Sequence, residues 1–333
     1  MIDLHLHLDG SLNPKNILTM AKMSDIELPF TDENAIRTKL MVEPDCRNLG
    51  EYLEKFDLPL QLLQTAECLE YAVYELMRDL KEQGLCYAEI RYAPQLHLQK
   101  GLSQKEVVEA AIRGRNKGIQ DFGMNANLIL CCMRGDQNHS ANVETILVAE
   151  QYLSKGVCAV DLAGNEAAYP TRLFHDIFHL AKEKKVPTII HAGEAAGPDS
   201  VWEALDFGAV RIGHGIHSAQ DSQLMEILKE KKICLEMCFS SNLQTKTVDS
   251  FKDYPILQFL EHEMLVTLNT DNLTVSNTTL KEEYKLVQET FSLSSDSLKA
   301  IALNSADAAF VSDKEKNSLK QSISKNFSKW MQS

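Results

Sequence analysis

Residues 2–10 read IDLHLHLDG. Apolar side chains alternate with polar ones up to Asp9 and Gly10, the pattern of a strand with one apolar face that runs into a turn. Successive side chains of a strand point to opposite faces, so His5 and His7 point the same way and converge on one spot. Neutral imidazole is the commonest metal ligand. Taken alone, the pair does not choose between a metal site and two polar residues on a half-exposed strand.

The same kind of short apolar run recurs outward along the chain, at 86–92, 127–132, 157–162, 188–191, 210–214, 233–237 and 265–269; with 3–8 the β-type runs number eight. Between them helical periodicity covers 67–82, 104–120, 141–153, 169–184 and 221–231. The last of these opens on an acidic cluster and closes in lysines, as the helix dipole prefers. Eight strands alternating with helices, with no Gly, Ser or Pro linker to divide them, predict an α/β fold: a closed (β/α)8 TIM barrel forming one domain over 1–333. A doubly wound open sheet is the other arrangement these elements allow. The segment 13–66 is too long for a simple crossover, so extra helices belong there after the first strand, including one over 49–63 that would cover the barrel mouth. Beyond residue 269, helices at 280–291 and 298–310 and a solvated terminal helix from Asp313 complete the pattern.

Composition sets outer limits on function. Hydrophobic residues make up 44% and charged residues 24%, ordinary globular usage. A formal net charge of -13 disfavours nucleic acid and anionic membranes, since phosphate binding needs clustered Lys and Arg. Small neutral or cationic ligands remain. The eight cysteines sit in apolar runs such as 130–133 and 233–235, and no CxxC pair occurs, so they read as reduced thiols rather than disulfides or a zinc knuckle. With no basic-then-apolar leader and no membrane-length apolar run, the expectation is a cytoplasmic protein.

Barrel active sites are built at the C-terminal ends of the strands. There the sequence places His5 and His7 on the first strand, His191-Ala192-Gly193-Glu194 on the fifth, Gly213-His214-Gly215 on the sixth and Asp271-Asn272 on the eighth. Three imidazoles and a carboxylate arriving at one rim suit a divalent metal with an open position for water, and zinc fits that donor set best. A catalytic zinc lowers the pKa of bound water to roughly 7. Glu194, if burial raises its pKa, would be the proton donor, while His214 would orient or deprotonate the water. Glu89, Asp161 and Glu236 also lie at or near strand ends, where the pattern assigns them no role. A rival pair, His175 and His179, sits one helical turn apart on an outer helix but lacks the glutamate of an HExxH protease site. The H-x-E with P-C-x-x-C signature, GxGxxG and GK[ST] are all absent.

The ordered series HLHLDGS, DLAGNE, HAGE, IGHG, SSN and LNTDN resembles the adenosine deaminase family of the amidohydrolase superfamily, in spelling and in order, from His5 to about Phe310. The resemblance implies hydrolytic removal of the 6-amino group of adenosine, and of 2'-deoxyadenosine, in purine salvage. It implies one Zn2+ per chain on His5, His7, His191 and Asp271. Glu194 would protonate purine N1 and His214 would position the attacking water. His7, Asp9, Gly164 and Asn272 would face the substrate, Asp9 through the ribose 5'-hydroxyl, Gly164 through its N–H to N3, and Asn272 to N7. Many members carry a second aspartate where Asn272 stands; an amide can donate to N7, where a carboxylate first needs a proton. Relatives that deaminate free adenine often carry Glu at the position of Asp9, which tilts the substrate here toward the nucleoside. Tyr52, Leu53 and Phe56 fall where the family has an apolar lid, although an amphipathic helix burying its face in the core would show the same spacing. The partner implied is a small purine nucleoside, with no nucleic acid and no membrane; a monomer is compatible with the sequence.

Overall fold

The computed structural model describes residues 1–30 and 32–332. Eight strands form as the apolar runs require: β1 (Ile2–His7), β2 (Tyr87–Tyr92), β3 (Asn125–Met133), β4 (Val157–Ala163), β5 (Ile189–Ala192), β6 (Arg211–His214), β7 (Cys234–Met237) and β8 (Val266–Leu268). All neighbouring pairs are parallel, in two four-stranded sheets ordered β1-β2-β3-β4 and β5-β6-β7-β8. Backbone hydrogen bonds close both seams. Val160 N donates to Pro187 O at 2.9 Å between β4 and β5, and Asp271 both donates to His5 O at 2.8 Å and accepts from His7 N at 2.7 Å between β8 and β1. The open sheet is thereby excluded, and Asp271 is fixed by the closure itself.

Strands buried on both faces need covering helices, and these pack outside through one continuous apolar core. Ala66–Glu82, Gln104–Phe122, His139–Tyr152 and Ser222–Glu230 match the expected helices to within a few residues. Two expectations need correction. The helix expected over 49–63 is broken into Leu49–Leu53, a 3-10 turn Glu54–Phe56, and Asp57–Leu62. Pro59 accounts for the break, because its ring clashes with the carbonyl four residues earlier, at Lys55. The helix expected over 169–184 begins only at His175, after a 3-10 turn Thr171–Phe174, since Pro170 bars Tyr169 from helical geometry. Pro14–Met23 and Glu33–Leu40 supply the remaining helices expected after β1, and Leu280–Phe291, Ser295–Ala308 and Asp313–Gln332 those at the C-terminal end. All eight cysteines are free, seven of them buried. Among the described residues no helix is long and apolar enough to cross a membrane.

Candidate active site

The inside of the barrel carries charge where an apolar filling would be usual. Arg91 of β2 donates from Nη1 to Asp161 of β4 at 2.9 Å and from Nη2 to Glu236 of β7 at 2.8 Å. Arg211 of β6 donates from Nε to Glu236 at 2.6 Å and pairs through Nη2 with Glu89 at 2.6 Å. All five side chains are buried. Buried charges persist only when paired and hydrogen-bonded, and breaking such a pair costs about 3–5 kcal/mol. Here the network has work beyond stability, because its carboxylates also grip two histidines.

His5 donates its Nδ1–H to Glu236 Oε2 at 2.8 Å, which leaves the Nε2 lone pair facing the barrel mouth, buried and without a hydrogen-bond partner. His191 is held likewise, with Nδ1 2.9 Å from Asp161 Oδ2. Such carboxylate–histidine pairs fix the tautomer that a metal ligand needs. His191 Nε2 lies 3.2 Å from His7 Nε2, while His5 Nε2 and His7 Nε2 each lie 3.4 Å from Asp271 Oδ1. Ligand bonds of roughly 2.0–2.2 Å in a tetrahedral site set neighbouring ligand atoms about 3.3–3.6 Å apart. The spacing, the orphaned nitrogen and the donor types therefore fit a divalent cation. Asp271 Oδ2 accepts from Ser241 Oγ at 2.6 Å, so this carboxylate is oriented too. Asp271 and His214 both adopt left-handed backbone, φ 59° and 60°, strain of the kind that clusters at functional sites.

For His5, His7 and Asp271 the electrostatics favour the proton-free form that a ligand needs, and His191 is the exception. Burial pushes His5 down to about 4 and His7 well below its usual value. His191 feels the same burial, but the Asp161 carboxylate outweighs it and raises the ring. Asp271 is buried as well, yet the His5 and His7 rings keep it well below the ordinary carboxylate range. Cys238 is a neighbour the sequence pattern did not flag, its sulfur within 4.8 Å of the His5 and Asp271 ligand atoms. Burial and the surrounding carboxylates push its thiol well up.

Glu194 and His214 face the same space, Oε2 to Nε2 at 3.6 Å. Burial raises the Glu194 pKa against the opposing pull of His214. His214 Nδ1 accepts from Asn242 Nδ2 at 3.0 Å, and Tyr254 OH anchors Asn242 Oδ1 at 3.0 Å. With Nδ1 an acceptor, the proton of the neutral ring sits on Nε2, turned toward Glu194. The neutral ring in that tautomer orients a water or oxyanion by donating to it.

A cavity of about 790 Å³, its open mouth included, holds His7, Asp9, Gly164, His191, Glu194, His214, Asp271 and Asn272 in its wall. His5 lies behind, at the floor. Tyr52, Leu53 and Phe56 line the cavity and also pack with Cys46 and Val275 in a small cluster of their own, so the lid spacing and the core spacing both apply. Asp9 Oδ1 is buried with no partner, and burial pushes this carboxyl up to about 6. Asn272 departs from expectation in one respect. Its Nδ2 donates to Tyr52 OH at 3.0 Å, and its orphaned Oδ1 stands over Gly10, where a Cβ would come within 1.7 Å. One N–H of the amide is thus committed and one remains for a ligand. His175 and His179 lie on an exposed helix face, away from this cavity.

A family model described as adenosine deaminase matches residues 1–326. An adenosine deaminase of Haemophilus ducreyi is 50% identical over 331 residues, covering 98% of this chain and 96% of that one. An adenosine deaminase of Enterococcus faecalis is 42% identical over 323 residues, covering 97% and 95%. Among solved structures, an adenine deaminase from Arthrobacter aurescens superposes with a TM-score of 0.88 at 25% identity, covering 98% of each chain.

Proposed function

The chain belongs to the adenosine deaminase family, and from that membership we infer a hydrolase that converts adenosine and water to inosine and ammonia. We propose in addition that the metal is zinc, held by His5, His7, His191 and Asp271, and that 2'-deoxyadenosine is also a substrate in a cytoplasmic purine-salvage role. One observation carries the site assignment: His191 Nε2 stands 3.2 Å from His7 Nε2 and Asp271 Oδ1 stands 3.4 Å from both His5 Nε2 and His7 Nε2, with Glu194 in the wall of the same cavity. When bound, zinc supplies Lewis acidity that brings the pKa of a water to roughly 7.

The protein's own groups supply the rest. Glu194, its pKa raised by burial, gives a proton to purine N1 as C6 becomes tetrahedral, so that no free anion develops on the ring. His214 donates from Nε2 and holds the attacking oxygen on one face of the ring. Asn272 gives its remaining N–H to N7, and Gly164, whose φ of 106° leaves its backbone open to close approach, gives its N–H to N3. Asp9, with an unpartnered oxygen, accepts from the ribose 5'-hydroxyl. Tyr52, Leu53 and Phe56 cover the sugar side and exclude water.

Loss of adenosine absorbance in the ultraviolet on adding protein tests this reading. Wild-type protein converts adenosine faster than adenine; conversion of adenine alone would transfer the chain to the free-base activity. Glu194→Gln keeps its metal and loses about 100- to 10,000-fold in turnover. Near-normal turnover in that variant would remove Glu194 from the mechanism.

A further inference from the structure

The loop that carries Glu194 has no regular secondary structure, yet it is held at nearly every backbone group. Glu166, buried at the exit of β4, accepts four successive N–H donors: Gly193 at 2.8 Å on Oε1, then Glu194 at 3.0 Å, Ala195 at 2.7 Å and Ala196 at 2.9 Å on Oε2. Ser200 Oγ adds a fifth bond, to Oε1 at 2.5 Å. From the opposite side His217 donates its N–H to Gly193 O at 3.0 Å and its Nδ1–H to Ala196 O at 2.8 Å. The turn is possible because Gly193 sits at φ 67°, close against Val201, where a Cβ would come within 2.8 Å. Successive N–H groups turned into one concavity make an anion nest, and here the anion is the protein's own side chain.

We propose that Glu166 is a positioning residue that fixes the depth at which Glu194 enters the cavity. The proposal rests on the reading of Glu194 as proton donor. Charge-assisted bonds to backbone N–H groups are roughly twice as strong as neutral ones. Among the described residues the hydrogen-bond partners of Glu166 are these donors alone, with the buried Arg134 acting on it only through space, so its oxygens are taken up by the loop and the loop's free N–H groups by its carboxylate. Glutamine matches its shape but offers one acceptor oxygen and turns an NH2 toward N–H donors. The loop must then shift, and a misplacement of about 1 Å costs on the order of 100-fold in rate.

Glu166→Gln, Glu194→Gln, the double variant and Ser200→Ala are compared in metal-loaded protein, with adenosine as substrate. Affinity for 1-deazaadenosine, which has C–H in place of N1 and takes nothing from Glu194, is measured alongside. Glu166→Gln lowers kcat about 10- to 100-fold, binds 1-deazaadenosine as wild type does and retains its metal. The double variant is no slower than Glu194→Gln alone. An unchanged kcat in Glu166→Gln, or losses that multiply in the double variant, would overturn the proposal. If Glu166→Gln does not fold, Ser200→Ala decides: it removes one of the five bonds and lowers kcat about 2- to 5-fold with 1-deazaadenosine affinity intact, and an unchanged kcat there would leave Glu166 a purely structural group. Near-normal activity in Glu194→Gln would instead sink the proton-donor reading beneath both.

Discussion

Asp161→Asn tests whether the charges inside the barrel tune the metal site. Asp161 serves two nitrogen donors, His191 Nδ1 at 2.9 Å and Arg91 Nη1 at 2.9 Å, both on Oδ2, with Oδ1 also 3.1 Å from His191 Nδ1 and the Cys131 thiol 3.9 Å from Oδ2. Asparagine is nearly isosteric, so packing is preserved, but one oxygen must serve both donors and the NH2 opposes one of them. His191 then loses the partner that keeps its proton on Nδ1, and its Nε2 lone pair is no longer guaranteed to the metal. Losing such an orienting partner weakens metal binding roughly 10- to 100-fold, about 1.4–2.7 kcal/mol. The buried Arg91–Asp161 ion pair is lost, but Arg91 keeps Glu236 at 2.8 Å and so is not left without a counter-charge, which holds the cost to the fold at or below the roughly 3–5 kcal/mol of an uncompensated buried pair. The assay is competition for zinc against a chelator of known affinity, with melting of the metal-free and metal-loaded forms. At fixed free zinc well above Kd, the stabilisation by metal shrinks by the same 1.4–2.7 kcal/mol or thereabouts. A folded Asp161→Asn protein whose zinc Kd stays within about two-fold of wild type would refute the reasoning.

Other perturbations probe neighbouring links. Asp271→Ala leaves intact the backbone bonds to His5 and His7 that close the barrel, so the protein folds but retains less metal; elemental analysis after dialysis reads this, and unchanged content would take Asp271 out of the ligand set. Gly10→Ala places a methyl where Asn272 Oδ1 now lies and expels that amide from its position, so kcat/KM for adenosine falls about 10-fold or more while metal content is unchanged. Tyr52→Phe removes the hydroxyl that accepts from Asn272 and bonds Ser276 at 2.7 Å, and its expected cost is about 1–3 kcal/mol of transition-state stabilisation, read from the kcat/KM ratio. A ratio of one would show that Tyr52 acts through packing alone.

The strands were legible because their buried faces read as short runs rich in apolar residues, alternating with polar ones in β1, and because a barrel puts its polar groups where those runs end. That rule led to His7, His191, Glu194, His214 and Asp271, which line the one cavity, and to His5, buried behind it against Asp271. Asp161, Glu236 and Arg91 carried no comparable signal. They join strands 70 and 145 residues apart in the chain, and nothing local distinguishes a charge turned into a barrel from one turned to solvent. Glu166 and Asn242 stand in the DLAGNE and SSN motifs, but their roles were not legible for the same reason, since each acts on a segment from a different strand. The breaks in the helices expected over 49–63 and 169–184 were written in the sequence as Pro59 and Pro170, but apolar periodicity continues past both and hides them.

The central claim is that one divalent cation sits among His5, His7, His191 and Asp271. A crystal of the zinc-loaded protein measured on both sides of the zinc absorption edge tests it most directly. The account predicts one anomalous peak per chain, within about 2.0–2.2 Å of the Nε2 atoms of all three histidines and of an Asp271 oxygen. A peak elsewhere, or full turnover of adenosine in crystals and solution that hold no metal at that point, would contradict it.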